Sequence, residues 1–261
     1  MSRVRGWWAL FVGLLWAPML SATEVRVAVA ANFARPMAQL SAMFERASGH
    51  QVIVALGSTG ALQAQIRHGA PFDMFIAGDA AAPTALLQAG LGVSGTRFTY
   101  AQGRLVLWSR DPGRVDAAGE VLRRNDWQRL AVANPALAPY GKAAMETLER
   151  LGLQEATRSR RVQGENIAQT YQFVASGNAQ LGFVAMSQVM IGGRINQGSS
   201  WIVPRQWHSP IAQDAVLLQR GRDNAAALAL LAYLRSQEAR EVMQSFGYEF
   251  SAAGSDSAEG T

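Results

Sequence analysis

Short apolar runs rich in β-branched residues recur along the chain, at residues 25–30, 52–56, 74–77, 105–108, 130–133, 181–185 and 215–218. Between them the apolar positions change to helical spacing. Met37, Leu40 and Phe44 share one face of the first such segment, and Leu228, Leu231 and Leu234 one face of the last. This alternation predicts an α/β protein whose central, mostly parallel sheets are flanked by helices. Two stretches, residues 98–108 and 210–218, read as extended crossings, and crossings in pairs predict two lobes. Residues 23–100 with 211–250 form the first and 101–210 the second, with a ligand cleft between them at the carboxyl ends of the strands. Residues 251–261 are expected to be a disordered tail.

The strand ends carry the chemistry. The first strand runs into Ala30-Ala-Asn-Phe33 and the second into Gly57-Ser-Thr-Gly60, and each turn opens a helix. The N–H groups of a helix first turn lack intrahelical acceptors and sit at the positive end of the dipole, so they attract an anion without a charged side chain. Asn32 reads as an N-cap, as a cleft donor through its amide, or as both. Ser58 and Thr59 read as an ordinary capped turn, or as hydroxyl donors beside glycines that let a ligand approach the backbone. Asn134-Pro-Ala-Leu-Ala-Pro-Tyr-Gly141 and Gly164-Glu-Asn-Ile-Ala168 are further strand-to-helix turns. Four such turns, two per lobe and none dominated by charge, suit a rigid cleft around a small tetrahedral anion.

Composition narrows the choice. The 261 residues include 24 Lys and Arg against 19 Asp and Glu, a mild basic excess of +5, and no cysteine. Thiol catalysis, cysteine metal sites and disulfides are thereby excluded. His50, His68 and His208 lack metal-ligand spacing and read as surface or packing residues. No Gly-x-Ser-x-Gly elbow occurs, and an exported hydrolase built on Ser58 or Thr59 would want a general base at recognisable spacing. Gly90, Gly92 and Gly95 match a dinucleotide-binding pattern but follow a helical segment in place of a strand. Asp73 and Asp79 read as strand-end turn residues. Arg158, Arg160 and Arg161 form the densest basic knot, a solvated helix end or a surface that steers anions or meets a partner protein; nucleic-acid binding is not indicated. Residues 1–22, with Arg3 and Arg5 ahead of an apolar run shorter than a membrane span, read as a secretory signal cleaved after Ala22.

Taken together, Ala30-Ala-Asn-Phe33, Gly57-Ser-Thr-Gly60, Gly69-Ala-Pro-Phe-Asp-Met-Phe-Ile-Ala-Gly-Asp79, Asn134-Pro-x-x-Ala-Pro-Tyr-Gly141 and Leu181-Gly-Phe-Val-Ala185 resemble the periplasmic molybdate-binding proteins of ABC importers, over nearly all of residues 24–250. The resemblance implies a type II periplasmic-binding fold and a monomer in the periplasm. It implies molybdate or tungstate as ligand, no cofactor, no catalysis, and an inner-membrane ABC permease as partner. By position, the family's ligand residues fall on Asn32, on Thr59 with Ser58 beside it, on Tyr140, and on Ile167 through its backbone N–H. Other members carry a tyrosine at the place of Ala185 and a small residue at that of Tyr140; here the arrangement is reversed. Some relatives have threonine at the place of Ala31, which here can offer only its N–H. A site made only of donors satisfies an unprotonated dianion, whereas phosphate would bring an O–H that needs an acceptor. Sulfate, the alternative ligand along with other tetrahedral oxyanions, would be rejected by size alone.

Overall fold

The computed structural model describes residues 23–124 and 126–250. The expected signal segment and its cleavage point, and the expected tail, lie outside these residues. In chain order the first part comprises β1 (Glu24–Ala30), α1 (Ala34–Ser48), β2 (Gln51–Gly57), α2 (Thr59–Arg67), β3 (Met74–Ile76), α3 (Ala81–Gln88) and β4 (Phe98–Gln102). The chain then crosses to β5 (Leu105–Ser109), β6 (Leu130–Ala133), α4 (Pro139–Arg150), α5 (Gln154–Thr157), β7 (Arg161–Gly164), α6 (Ile167–Ala175), β8 (Leu181–Ala185) and α7 (Met186–Val189). A small ribbon of β9 (Met190–Ile191) and β10 (Arg194–Ile195) and then β11 (Ser199–Ile202) precede the return through β12 (Ala212–Leu217) to α8 (Ala225–Tyr233) and α9 (Gln237–Ser245).

Two five-stranded sheets result, ordered β2-β1-β3-β12-β4 and β11-β5-β8-β6-β7. Each is mixed. β1 pairs in parallel with β2 and β3, and β6 in parallel with β7 and β8, while β12 and β5 run antiparallel to their neighbours. The antiparallel members are the strands next to the crossings, where the chain enters a lobe from the opposite direction.

Both faces of the central strands are covered, so these read as continuous apolar runs, whereas the edge strand β2 leaves Ile53, Val54 and Leu56 exposed. Val25, Val27 and Val29 pack on Phe33, Met37 and Leu40 of the first helical segment and on Leu230, Leu231 and Leu234. Ala28 and Phe75 face Leu62, Ile66 and Leu86 on the other side. In the second lobe Leu130, Val132 and Phe183 meet Ala144 and Leu148 of α4, and Val106, Ala131 and Val184 meet Val174 of α6. Burying each Val, Leu, Ile, Phe or Met among them is worth about 1.5–3 kcal/mol.

Several boundaries differ from the sequence reading. A division at residue 100/101 falls inside β4, which stays in the first sheet to Gln102, so the chain leaves that sheet at Gly103. There the Gly103 N–H donates to the Ile211 carbonyl at 2.9 Å, tying the two crossings together. Leu228 is 46% exposed, and Leu230 takes its expected place in the core. β7 and β11 are sheet-edge strands with polar residues and give no apolar run.

Candidate functional site

Four helix starts converge on the cleft, and three have no side-chain cap. Ser58 holds the N-cap of α2 in extended conformation yet its hydroxyl makes no bond to that helix. Ala138 precedes α4 and has no acceptor to offer, and Pro139 fills the position where a missing N–H is harmless. The turn 31–33 and α1 behind it also lack a side-chain cap. At α6 the Asn166 side chain accepts from Ala168 and Gln169 N–H, both at 3.0 Å, and leaves the Ile167 N–H outside the cap. One cavity is lined by Ala30, Ala31, Asn32, Gly57, Ser58, Thr59, Ala138, Pro139, Tyr140, Asn166 and Ile167. Ala31, Asn32, Ser58, Thr59, Tyr140 and Ile167 therefore meet around a single space, drawn from both lobes.

What each side chain can offer there follows from its other bonds. The Thr59 hydroxyl accepts from the Gly78 N–H at 2.9 Å, which leaves its proton to give. Tyr140, fully buried, accepts from Gln213 Nε2 at 3.0 Å and likewise keeps its proton. Asn32 departs from both readings of its side chain. It caps neither the turn nor α1, and its Nδ2 donates to Gln213 Oε1 at 2.7 Å and to the Tyr248 hydroxyl at 2.9 Å. With both amide hydrogens used inside the protein, the donor Asn32 can turn toward an anion is its backbone N–H.

Gln213, Tyr248 and Tyr100 are the residues that sequence reasoning missed. The Tyr100 hydroxyl lies 2.7 Å from Gln213 Oε1, so three phenols and two amides share one buried network under the cavity. The signal for Gln213 was present as two polar residues, Gln213 and Asp214, inside an otherwise apolar strand; both are fully buried. Gly103 gave none. A Cβ there would lie 2.1 Å from the Tyr140 hydroxyl, so the first crossing has to carry glycine for the phenol to reach its place.

The electrostatics are those of neutral donors. No carboxylate, lysine, arginine or histidine lines the cavity, among the described residues. Burial pushes the Tyr140 and Tyr100 phenols well above their ordinary range and Tyr248 up to about 12, so all three stay protonated at neutral pH. Free volume is 10 Å³, of the order that holds one water molecule. As it stands the cavity is closed to anything larger. The lobes touch directly at its rim, where the Gly60 N–H donates to the Leu137 carbonyl at 2.9 Å. A larger cavity, 330 Å³, lies beyond the Ala31–Asn32 turn between Arg35, Trp108 and Tyr171. Its cation is spent on the Ser187, Gln188 and Met190 carbonyls and its two rings stack on each other at 5.2 Å. Size alone does not make it the site.

The fold agrees with what the chain is similar to. The model of the bacterial extracellular solute-binding proteins matches residues 25–249. The chain belongs to that family. It is 52% identical to the molybdate-binding protein ModA of Azotobacter vinelandii over 240 residues, 92% of this chain and 95% of that one. The Rhodobacter capsulatus molybdate-binding protein ModA is 47% identical over 92% of this chain and 93% of its own. Among solved structures the Azotobacter vinelandii periplasmic molybdate-binding protein superposes with a TM-score of 0.85 at 36% identity, covering 87% of this chain and all of that one.

The other candidates in this solute-binding protein have structural partners. Asp79 accepts from the Ala82 N–H at 2.8 Å as a turn residue, while Asp73, at its strand end, accepts from the Arg26 N–H of β1 at 2.8 Å and pairs with Arg220. Arg160 lies over the Trp127 ring at 3.9 Å and Arg161 reaches Met145, while Arg158 pairs with Glu155 on the surface. His50 is buried against Phe44, and His68 and His208 bond neighbouring carbonyls. No His, Asp and Glu cluster able to hold a metal ion occurs among the described residues.

Proposed function

We propose that the protein is a molybdate-binding component of an ABC importer, which closes its two lobes on the oxyanion and hands it to an inner-membrane permease. One observation carries this reading: six residues from four separate helix starts line one cavity that offers N–H and O–H donors and no charged side chain. The ligand contacts are the backbone N–H groups of Ala31, Asn32 and Ile167 and the hydroxyls of Ser58, Thr59 and Tyr140. Such a set satisfies an unprotonated dianion and leaves the proton of hydrogenphosphate without an acceptor. Tungstate, of nearly the same size as molybdate, binds alike, and the smaller sulfate weakly, because a rigid cage leaves some of its oxygens beyond hydrogen-bond distance. The protein binds and does not catalyse. It acts as a monomer in the periplasm after removal of residues 1–22.

Calorimetric titration of the anion-free protein with molybdate, tungstate, sulfate and phosphate tests the assignment. The expected result is one equivalent of molybdate or tungstate per chain, with sulfate weak and phosphate silent. Phosphate binding as tightly as molybdate would require an acceptor in the cavity and would refute the donor-only reading.

A further inference from the structure

The directions of the hydrogen bonds beneath the cavity can be worked out from a partner that cannot reverse. A backbone carbonyl only accepts. The Asn32 carbonyl faces the Ser187 hydroxyl at 2.7 Å and the Tyr248 hydroxyl at 3.0 Å. The Tyr248 proton is thus committed to that side, whether to the carbonyl or to the Ser187 oxygen 3.3 Å away. Its oxygen must then accept from Asn32 Nδ2, which orients the Asn32 amide. The second N–H of that amide meets Gln213 Oε1, which orients Gln213, and Gln213 Nε2 in turn donates to the Tyr140 oxygen. A phenol oxygen has two in-plane positions, one for its lone pair and one for its proton. With Gln213 at the first, and with the neighbouring Tyr248 oxygen already accepting from Asn32, the proton occupies the second and is left for the cavity that Tyr140 lines. Gly103 leaves both groups their place, since a Cβ there would collide with the Tyr140 hydroxyl and with Gln213 Nε2.

We propose that Gln213 is a positioning residue that sets oxyanion selectivity: from β12, under the cleft, it holds Tyr140 as a donor, so an oxyanion bearing its own proton finds no acceptor there. This rests on the reading of the cavity as an oxyanion site with Tyr140 among its contacts. A phenol without this partner can turn and present its lone pair to hydrogenphosphate. Gln213 is fully buried and does not line the cavity, so its effect on the anion passes through Tyr140.

The test is calorimetric titration with molybdate and with inorganic phosphate of the wild type, Gln213→Met and Gln213→Glu, each also carrying Tyr140→Phe. Gln213→Met is expected to narrow the molybdate-over-phosphate affinity ratio about tenfold, the scale of one hydrogen bond to a charged acceptor. Gln213→Glu, whose carboxylate takes the Tyr140 proton, narrows it further. In the Tyr140→Phe background neither changes the ratio more than about threefold, within the usual non-additivity of neighbouring sites. A wild-type ratio in the single variants, or the same narrowing in both backgrounds, overturns the role of Gln213. If Tyr140→Phe alone weakens molybdate while the Gln213 variants keep the ratio, the proposed function stands and this inference falls; if the wild type does not take up molybdate, both fall. Should neither Gln213 variant fold, Tyr248→Phe releases the Asn32 amide at the far end of the chain of bonds and is read in the same way.

Discussion

Helices that begin at the cleft are finished differently from those that begin at the back of the first lobe. α8 starts with Asn224, whose side chain accepts from the Ala226 and Ala227 N–H groups at 2.9 and 3.3 Å, and α9 with Ser236, which accepts from Ala239 at 3.1 Å. α2 and α4 start with Ser58 and Ala138 and have no such bond, although Ser58 is chemically as able to cap as Ser236. α6 stands between the two classes, capped at its second and third N–H and open at Ile167. A cap is worth about 1 kcal/mol. Around the cleft that stability is forgone; the Gly60 N–H is spent on the Leu137 carbonyl, and α2 and α4 offer the Ser58, Thr59 and Tyr140 hydroxyls to an acceptor from solution, beside the N–H groups of Ala31, Asn32 and Ile167.

Substitutions that interfere with this division should separate binding from stability. The largest effect is expected from Asn32→Ala, which leaves Gln213 Oε1 and the Tyr248 hydroxyl short of a buried partner. It should lower the unfolding free energy by about 3 kcal/mol and weaken molybdate binding as well, measured by urea denaturation and calorimetry. Wild-type stability would mean the buried network is not formed. Tyr140→Phe removes one hydroxyl donor to the anion and should cost about 1–3 kcal/mol of binding; unchanged affinity would put the phenol outside the site. Ser58→Ala and Asn224→Ala then form an opposed pair. The first should weaken molybdate binding by about 1–2 kcal/mol and barely alter the stability of the anion-free protein, while the second should lower stability by about 1 kcal/mol and leave binding intact. If Ser58→Ala destabilised the anion-free protein as Asn224→Ala does, the contrast between the two classes would be lost. The smallest effect is that of pH. Burial pushes all three phenols upward, Tyr248 to about 12, and no histidine or carboxylate lines the cavity. Because each phenol is protonated below its raised value, molybdate affinity should stay flat over roughly pH 6 to 9 in calorimetric titrations; a step in that range would reveal a titrating contact.

Much of the architecture was legible because it rests on local patterns. The apolar runs of β1, β6 and β8 and the helical spacing of Met37, Leu40 and Phe44 each follow from burial on a defined face. α8 was harder: nearly every position of Ala225–Tyr233 is apolar, so periodicity could not choose between Leu228 and Leu230. β7 and β11, short and partly polar at sheet edges, lacked the burial that would have marked them. Within the site, the turns that gather at the cavity were visible as small-residue and hydroxyl-rich strand ends. The bonds of Asn32 were not, because its partners Gln213 and Tyr248 lie 181 and 216 residues away and meet it only when the crossings are in place. A close approach such as that of Gly103 to Tyr140 is invisible in one dimension for the same reason.

The central claim is that an oxyanion is held by the donors that the cleft-facing helix starts leave free, backbone N–H groups at Ala31, Asn32 and Ile167 and hydroxyls at Ser58, Thr59 and Tyr140. It is tested most directly by the amide proton shifts of isotopically labelled protein with and without molybdate. The account predicts downfield movement of the Ala31, Asn32 and Ile167 amides, as each gains a charged acceptor, while Ala226 and Ala239 at the capped starts of α8 and α9 stay in place. Molybdate bound in stoichiometric amount with the Ala31, Asn32 and Ile167 amides unmoved would contradict it.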